Sequence, residues 1–137
     1  MMKLASIIFL GTMLTACGDA PLECGAPASI AGAWSYEATQ TAPSAATLSG
    51  TLTLTRPGTC AVGGTVAGTI DTGDGSPEMF DAGVSGVFLD ETTVDLSIEI
   101  DGERRHIGEV VADTISGTWA DGSSGATGIF RAERGTP

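Results

Sequence analysis

The chain has 137 residues, and its 17 carboxylates outnumber its six basic side chains, which gives a formal net charge of −11 at pH 7. This length fits one domain and is short for two of ordinary size. A surface this negative repels phosphate backbones, so the composition excludes nucleic acid as a partner.

The chain begins with Met-Met-Lys, followed by a largely apolar run over residues 4–16 and then Cys17. A positive start, an apolar run of about 13 residues and small residues before a cut site are typical of an export signal. The run is shorter than the roughly 20 residues that a membrane-spanning helix needs. Removal of residues 1–16 leaves five arginines, no lysine and 17 carboxylates, a net charge of −12.

The segment Leu14-Thr15-Ala16-Cys17 resembles the lipobox of bacterial lipoproteins. In that family the peptide is cut before the cysteine, whose acyl chains, such as palmitate, anchor the protein to a lipid bilayer. The resemblance implies a signal peptide over residues 1–16, lipidation of Cys17 and a lipidated tether over residues 17–29. Because Gly18 follows the cysteine, it also implies a cell-envelope location at the outer membrane. An ordinary signal peptide with a cysteine near its end is the alternative.

Cys24 and Cys60 remain once Cys17 is assigned to lipid. An even pair of cysteines in an oxidising compartment predicts a disulfide. Closing a loop of about 36 residues would contribute roughly 3–4 kcal/mol by restricting the unfolded chain. A metal site is the competing interpretation, but two thiols and a single histidine are a poor ligand set for zinc.

After residue 29 the hydrophobic pattern has a period of two almost everywhere, which is typical of half-buried antiparallel strands. Seven runs alternate, and one more, over residues 103–112, is less regular and predicts a bulge near Gly108. Turn compositions separate the runs, at residues 56–59, 71–78, 90–91, 101–102 and 120–124. The residues predicted to face the interior are Ile30, Gly32, Trp34, Tyr36, Leu48, Gly50, Leu52, Leu54, Val62, Gly64, Val66, Gly68, Ile70, Val84, Gly86, Phe88, Val94, Leu96, Ile98, Ile100, Ile115, Gly117, Trp119, Gly128 and Phe130.

Eight strands with short connections predict a meander, and closing it into a barrel removes the two free edges of an open sheet. Most of the predicted inward faces carry a glycine, which permits the tight coiling of a small barrel. The sequence therefore predicts an all-β, eight-stranded antiparallel up-and-down barrel over residues 30–134. A β-sandwich is the alternative, because alternation alone does not distinguish closure from folding over.

Gly32-Ala33-Trp34 in the first predicted strand is similar to the Gly-x-Trp of lipocalins and their calycin relatives. In those barrels an arginine at the end of the last strand packs across the tryptophan, and the resemblance implies that Arg131 does so here. The outline is also similar to periplasmic inhibitors of secreted metalloproteases, which are small disulfide-bearing barrels. Cys24 lies before the first predicted strand, where it departs from the pattern of those inhibitors.

The candidate ligand-binding residues are aromatic side chains on predicted inward faces: Trp34, Tyr36, Phe88, Trp119 and Phe130. A packed core is the competing interpretation, since an eight-stranded barrel is just wide enough for side chains or one small ligand. His106, the only histidine, is predicted at a solvated strand edge. Arg104 and Arg105 are predicted on opposite faces of one strand, because neighbouring side chains alternate.

No residue is predicted to be catalytic or to hold a metal or cofactor. Without lysine, a second histidine or a free thiol in the processed chain, most nucleophile and acid–base combinations are missing, although a carboxylate-only site stays open. The loop over residues 71–78 lacks EF-hand spacing and predicts a polar hairpin loop, with weak calcium binding as the alternative.

The sequence favours a non-catalytic, membrane-anchored module that binds a small apolar ligand. The alternative is an envelope protein, structural or protease-inhibitor-like, that acts through protein–protein contacts.

Overall fold

A computed structural model describes residues 24–135, so the predicted signal peptide and Cys17 lie outside the described residues. The strands are β1 (Gly32–Ala42), β2 (Ala46–Thr55), β3 (Ala61–Asp71), β4 (Glu78–Phe88), β5 (Thr93–Glu99), β6 (Glu103–Val111), β7 (Thr114–Asp121) and β8 (Thr127–Arg134). Each strand pairs with the next along the chain, and β8 also pairs with β1, so the sheet is a closed barrel. This confirms the predicted up-and-down barrel and excludes the sandwich. Within residues 24–135, no helix is long and apolar enough to cross a membrane.

Burial alternates along the strands, as the period-two pattern predicts. In β5, for example, Val94, Leu96 and Ile98 are fully buried, while the residues between them are partly exposed. One predicted inward position is wrong: Gly32 is the first residue of β1, is exposed and has a φ of 128°. The remaining predicted inward residues form the wall and the core of the barrel.

Strand β6 is regular, and the predicted bulge near Gly108 is absent. Gly108 is in unbroken register with Val94 on one side and Gly117 on the other. The pattern looked irregular because two polar residues, Arg104 and His106, occupy inward positions. The register shift within the barrel lies instead between β1 and β8, at residues 40–42.

Several inward glycines are required because neighbouring strands approach too closely for a side chain. Gly50 lies opposite Gly68, and a Cβ on either would overlap the backbone of the other strand. Gly117, in the same way, faces the Ile107 carbonyl oxygen on β6. These positions allow the sheet to coil tightly enough to close.

The close approach of β6 and β7 makes a testable prediction at Gly117. Gly117→Ala should lower the free energy of unfolding by about 3 kcal/mol, because the new methyl group has to displace the β6 backbone. Urea denaturation followed by tryptophan fluorescence measures the loss. Gly83→Ala is the matched control: Gly83 is on the outward face of β4 with open space around it. Equal stability of the two variants would show that close approach is not what requires glycine at 117.

One end of the barrel, which we call the closed end, is covered by the chain segment before β1. Ile30 in this segment is fully buried, and its carbonyl oxygen accepts a hydrogen bond from Trp34 Nε1 at 2.9 Å. The Ala28 amide donates to the Glu91 carbonyl oxygen in the β4–β5 loop, also at 2.9 Å. A Cys24–Cys60 disulfide joins the segment to the β2–β3 loop, which confirms the predicted pairing.

The arginine that packs across Trp34 is Arg134, and the prediction of Arg131 is wrong. Arg134 is in register with Trp34 across the β1–β8 closure, and its Cζ lies 4.4 Å from the indole ring centre. It donates to the carbonyl oxygens of Ser29 at 2.7 Å and Ala31 at 3.0 Å, which fastens the covering segment. Arg131 faces outward and pairs with its neighbour Glu133, because alternation places odd-numbered β8 residues outside.

Candidate functional site

The opposite end of the barrel, which we call the mouth, is formed by the four remaining loops. These loops are residues 43–45, 72–77, 100–102 and 122–126. The inward residues near this end include the small Ala46 and Ala126 and also larger side chains, Leu48, Ile70, Phe80 and Ile100. The two ends therefore differ in their covering.

The five predicted ligand-binding aromatics all point inward, but they do not form one site. Trp34 and Phe88 lie at the closed end. Arg134 packs over the Trp34 ring, and the Arg56 guanidinium carbon lies 5.2 Å from the centre of the Phe88 ring. The other three are nearer the middle and the mouth. Each of the five is at most 4% exposed, so none of them lines an open channel.

His106 is buried at the centre of the barrel, and its predicted place at a solvated edge is wrong. A closed barrel has no edge, and β6 is hydrogen-bonded to a neighbour on both sides. The ring packs edge-on against Phe130, with centroids 4.9 Å apart, and its Nε2 lies 2.9 Å from the Tyr36 hydroxyl. Its Nδ1 lies 3.0 Å from the Arg104 carbonyl oxygen. A carbonyl only accepts, so Nδ1 carries the proton and Nε2 accepts from the tyrosine.

Burial keeps both members of this pair neutral. The pKa of His106 falls to about 4, chiefly because burial desolvates the ring; the hydrogen bond to the Arg104 carbonyl opposes this fall, and the positive charge of Arg104 contributes to it. Burial also raises the pKa of Tyr36 well above its ordinary value, and Arg104 opposes that rise. At neutral pH the centre of the barrel therefore holds a satisfied, uncharged hydrogen bond.

This burial predicts a pH dependence of stability. An unfolded histidine takes up a proton near pH 6.5, whereas folded His106 does so only near pH 4. The unfolded state binds more protons between these values, so stability is present above pH 6.5 and is lost as pH falls toward 4, by up to about 3 kcal/mol. Urea titrations across this window measure the slope.

His106→Gln provides the comparison, because its amide oxygen still accepts from Tyr36 but does not titrate. The variant should lose most of the slope between pH 6.5 and 4. Both proteins should keep the loss at lower pH that comes from Asp121, whose pKa hydrogen bonds from Ser123 and Ser124 lower to about 2. Identical slopes in the upper window would contradict a buried neutral histidine.

Arg104 is an inward cation at the mouth, and sequence reasoning did not select it as a site residue. It is 9% exposed, and its guanidinium carbon lies 4.8 Å from the centre of the Trp119 ring. Its Nε has no hydrogen-bond partner, and neither does the buried Nε1 of Trp119. Within residues 24–135 the guanidinium has no ion pair to a carboxylate. The sequence did contain a signal for this position: alternation along β6 places Arg104 on the same inward face as Gly108 and Val110.

The carboxylate nearest in register forms no ion pair with Arg104. Asp121 lies opposite it across the β6–β7 pair. Its Oδ1 instead accepts from the Ser123 amide at 2.8 Å, the Ser123 hydroxyl at 2.7 Å and the Ser124 amide at 3.2 Å. Arg105, by contrast, points outward as predicted and forms a 2.6 Å ion pair with Asp95. Of the two adjacent arginines, the outward Arg105 is thus paired with a carboxylate and the inward Arg104 is not.

Acidic loop residues at the mouth stabilise their own turns. The Asp71 carboxylate accepts from the Gly73 amide at 2.8 Å, and the Asp74 carboxylate accepts from the Ser76 amide at 3.0 Å. Across the described part of the chain, no group of three or more His, Cys, Asp or Glu side chains is placed to hold a metal ion. The loop has the polar-hairpin character that its composition predicts.

Concave surface also exists outside the barrel. A groove on the outer wall is lined by Ile107, Thr118 and Ile129, and a second one beside the mouth by Glu103 and Arg105. Trp119 and Gly128 also line the outer-wall groove, whereas Arg104 lines neither groove.

Solved structures with a similar fold are small β-barrels. EF1p2_mFAP2b bound to DFHBI matches with a TM-score of 0.62 and 15% identity, covering 77% of this chain and 93% of that one. A de novo designed fluorescence-activating β-barrel matches with a TM-score of 0.56 and 13% identity, over 77% and 94% of the two chains. The redesigned barrel mFAP0 bound to DFHBI matches with a TM-score of 0.50 and 16% identity, over 76% and 97%.

These similarities support only the fold of the described chain, because sequence identities this low do not show a common function. No protein-family model matches the chain, and no match was found among curated proteins.

Proposed function

We propose that this protein is a non-catalytic binding module that takes up a small, largely apolar ligand through the mouth of its barrel. The observation that carries the proposal is the unequal closure of the two ends. The segment over residues 24–31, its disulfide and Arg134 cover one end. No comparable segment of the described chain crosses the mouth, where only hairpin loops lie.

Small inward residues next to the mouth loops and the fold itself support the same proposal. Ala46 and Ala126 are inward residues of this end, alongside larger ones such as Leu48 and Phe80. Two similar barrels, EF1p2_mFAP2b and mFAP0, are structures bound to DFHBI, so this fold accommodates a small molecule.

The state of the central polar residues favours binding over catalysis. A general acid or base works best with a pKa near the working pH and within reach of substrate. The pKa of His106 is about 4 and that of Tyr36 is raised, and the two groups are hydrogen-bonded to each other inside the core. Their role in this proposal is to hold the centre of the barrel together.

Binding is tested with N-phenyl-1-naphthylamine, a neutral apolar probe whose fluorescence rises when it leaves water. We expect saturable binding to the folded protein, weakened about tenfold in Ala46→Met, because the longer side chain fills space at the mouth. Ala45→Met is the matched control, since Ala45 is exposed in the adjacent loop. No saturable binding by the wild type, or equal binding by both variants, would contradict a ligand site at the mouth.

We also propose that the module is attached to the cell envelope, at the outer membrane, by lipid on Cys17. The lipobox-like segment supports this, and so does the Cys24–Cys60 disulfide, because it engages the other two cysteines of the chain. Stable anchoring needs two or more acyl chains, which such a modified cysteine supplies.

Cys17→Ala should move the protein from washed bacterial membranes to the soluble fraction without changing its unfolding midpoint. Gly18→Ala, at the next residue, should remain with the membranes. Fractionation and immunoblotting measure the distribution, and retention of Cys17→Ala in the membranes would refute attachment through this cysteine.

A further inference from the structure

The inward cation at the mouth lacks the partner that a buried charge requires. Buried charges in proteins are normally paired and fully hydrogen-bonded, because desolvation penalises an isolated ion. Arg104 is 9% exposed, its Nε has no partner and no carboxylate within residues 24–135 forms an ion pair with it. This arrangement is costly to the free protein unless something else uses the charge.

Stacking on Trp119 compensates only part of this cost. The guanidinium lies over the indole with 4.8 Å between its carbon and the ring centre. A cation–π contact uses the flat face of the guanidinium and leaves the N–H groups at its edge available. The indole Nε1 is a further buried donor without a partner, and it lies beside Gly128 on β8.

No carboxylate in the described part of the chain forms an ion pair with Arg104, although the ionised Asp121 lies opposite it in register. The Asp121 carboxylate accepts three hydrogen bonds through Oδ1 from its own turn. Tyr36 stays protonated, because burial raises the pKa of its hydroxyl, and the hydroxyl donates its hydrogen bond to His106 Nε2. Glu103, beside Arg104 in sequence, is exposed on the outer face and accepts from Ser97. A direct ion-pair partner for Arg104 would therefore come from outside the described chain.

We propose that the ligand of this barrel carries one anionic group, of the carboxylate type, which accepts hydrogen bonds from the Arg104 guanidinium and Trp119 Nε1. The inference rests on the proposed binding function and specifies the chemistry of the ligand: a small apolar body with an acidic head. A guanidinium edge matches the two oxygens of a carboxylate. Since the chain as a whole is strongly negative, attraction of an anion depends on this local cation.

The test compares a neutral and an anionic fluorescent probe that differ by one sulfonate group. 8-Anilinonaphthalene-1-sulfonate is N-phenyl-1-naphthylamine with an added sulfonate. Arg104→Met should weaken binding of the anionic probe at least about tenfold, as expected for losing charge-assisted hydrogen bonds, and change binding of the neutral probe less than about twofold. Arg105→Met is the matched control, because it removes the same charge from the outer face of the same strand.

Competition with decanoate and decan-1-ol extends the test to a carboxylate. Decanoate should displace the neutral probe from the wild type at a concentration at least about tenfold lower than from Arg104→Met, and decan-1-ol should not discriminate between them. Decanoate should also raise the melting temperature of the wild type and not that of Arg104→Met. Without ligand, Arg104→Met should melt no lower than the wild type, because a buried unpaired charge is removed.

The outcomes distinguish failure of the acidic-head inference from failure of the binding function. If the neutral probe binds the wild type and Arg104→Met leaves the anionic probe and decanoate unchanged, the acidic head is refuted and the binding function stands. If neither probe binds the wild type, the binding function and the inference fail together. If Arg104→Met does not fold, Arg104→Lys, which keeps the charge and loses the planar edge, should weaken decanoate binding; unchanged decanoate binding would overturn the proposal.

Discussion

The hydrogen bonds between β1 and β8 determine where every side chain of the barrel goes. They close the sheet, and a closed sheet of eight strands has no free edge and an interior of fixed, small width. Each strand then presents alternate residues to the interior, whatever their polarity. Strand β6 cannot turn Arg104 and His106 outward, because a slip of one residue would also expose Val110. The polar groups in the core are a consequence of closure.

Closure also explains how large aromatic rings fit inside so narrow a barrel. A Cβ on Gly108 would overlap the Phe130 ring, and one on Gly128 would overlap the indole of Trp119. Glycine on one strand thus makes the space that an aromatic ring from a nearby strand fills. The same rings surround His106 and remove it from water, which is why the His106 pKa falls and the Tyr36–His106 hydrogen bond stays neutral.

Much of the fold could be predicted from sequence because a period of two is a local property. The strands, their inward faces and the Cys24–Cys60 disulfide follow from alternation and cysteine count, and the structure has them. Partners across the closure could not be predicted in this way. Arg131 and Arg134 are both near the end of β8, and only the β1–β8 register decides that Arg134 reaches Trp34.

The site was hidden for a related reason. A polar residue at an inward position reads locally as an interruption of the pattern, so β6 looked bulged and His106 looked solvated. Once the barrel is known to be closed, the same parity argument places both polar residues inside. Arg104 becomes conspicuous only then, because its missing counter-ion is a property of the neighbouring strands and not of its own sequence.

The arrangement along the barrel axis limits what the mouth can hold. Phe130, His106 and Tyr36 fill the middle of the barrel, so a ligand that entered through the mouth would lie between them and the loops. An acidic head held by Arg104 would sit close to solvent, with its apolar body beneath the loops.

Cys24 is at the closed end, seven residues after Cys17, a stretch that spans at most about 25 Å when extended. An anchor at Cys17 would therefore hold the closed end near the bilayer and leave the mouth facing water, where an acidic amphiphile is dissolved.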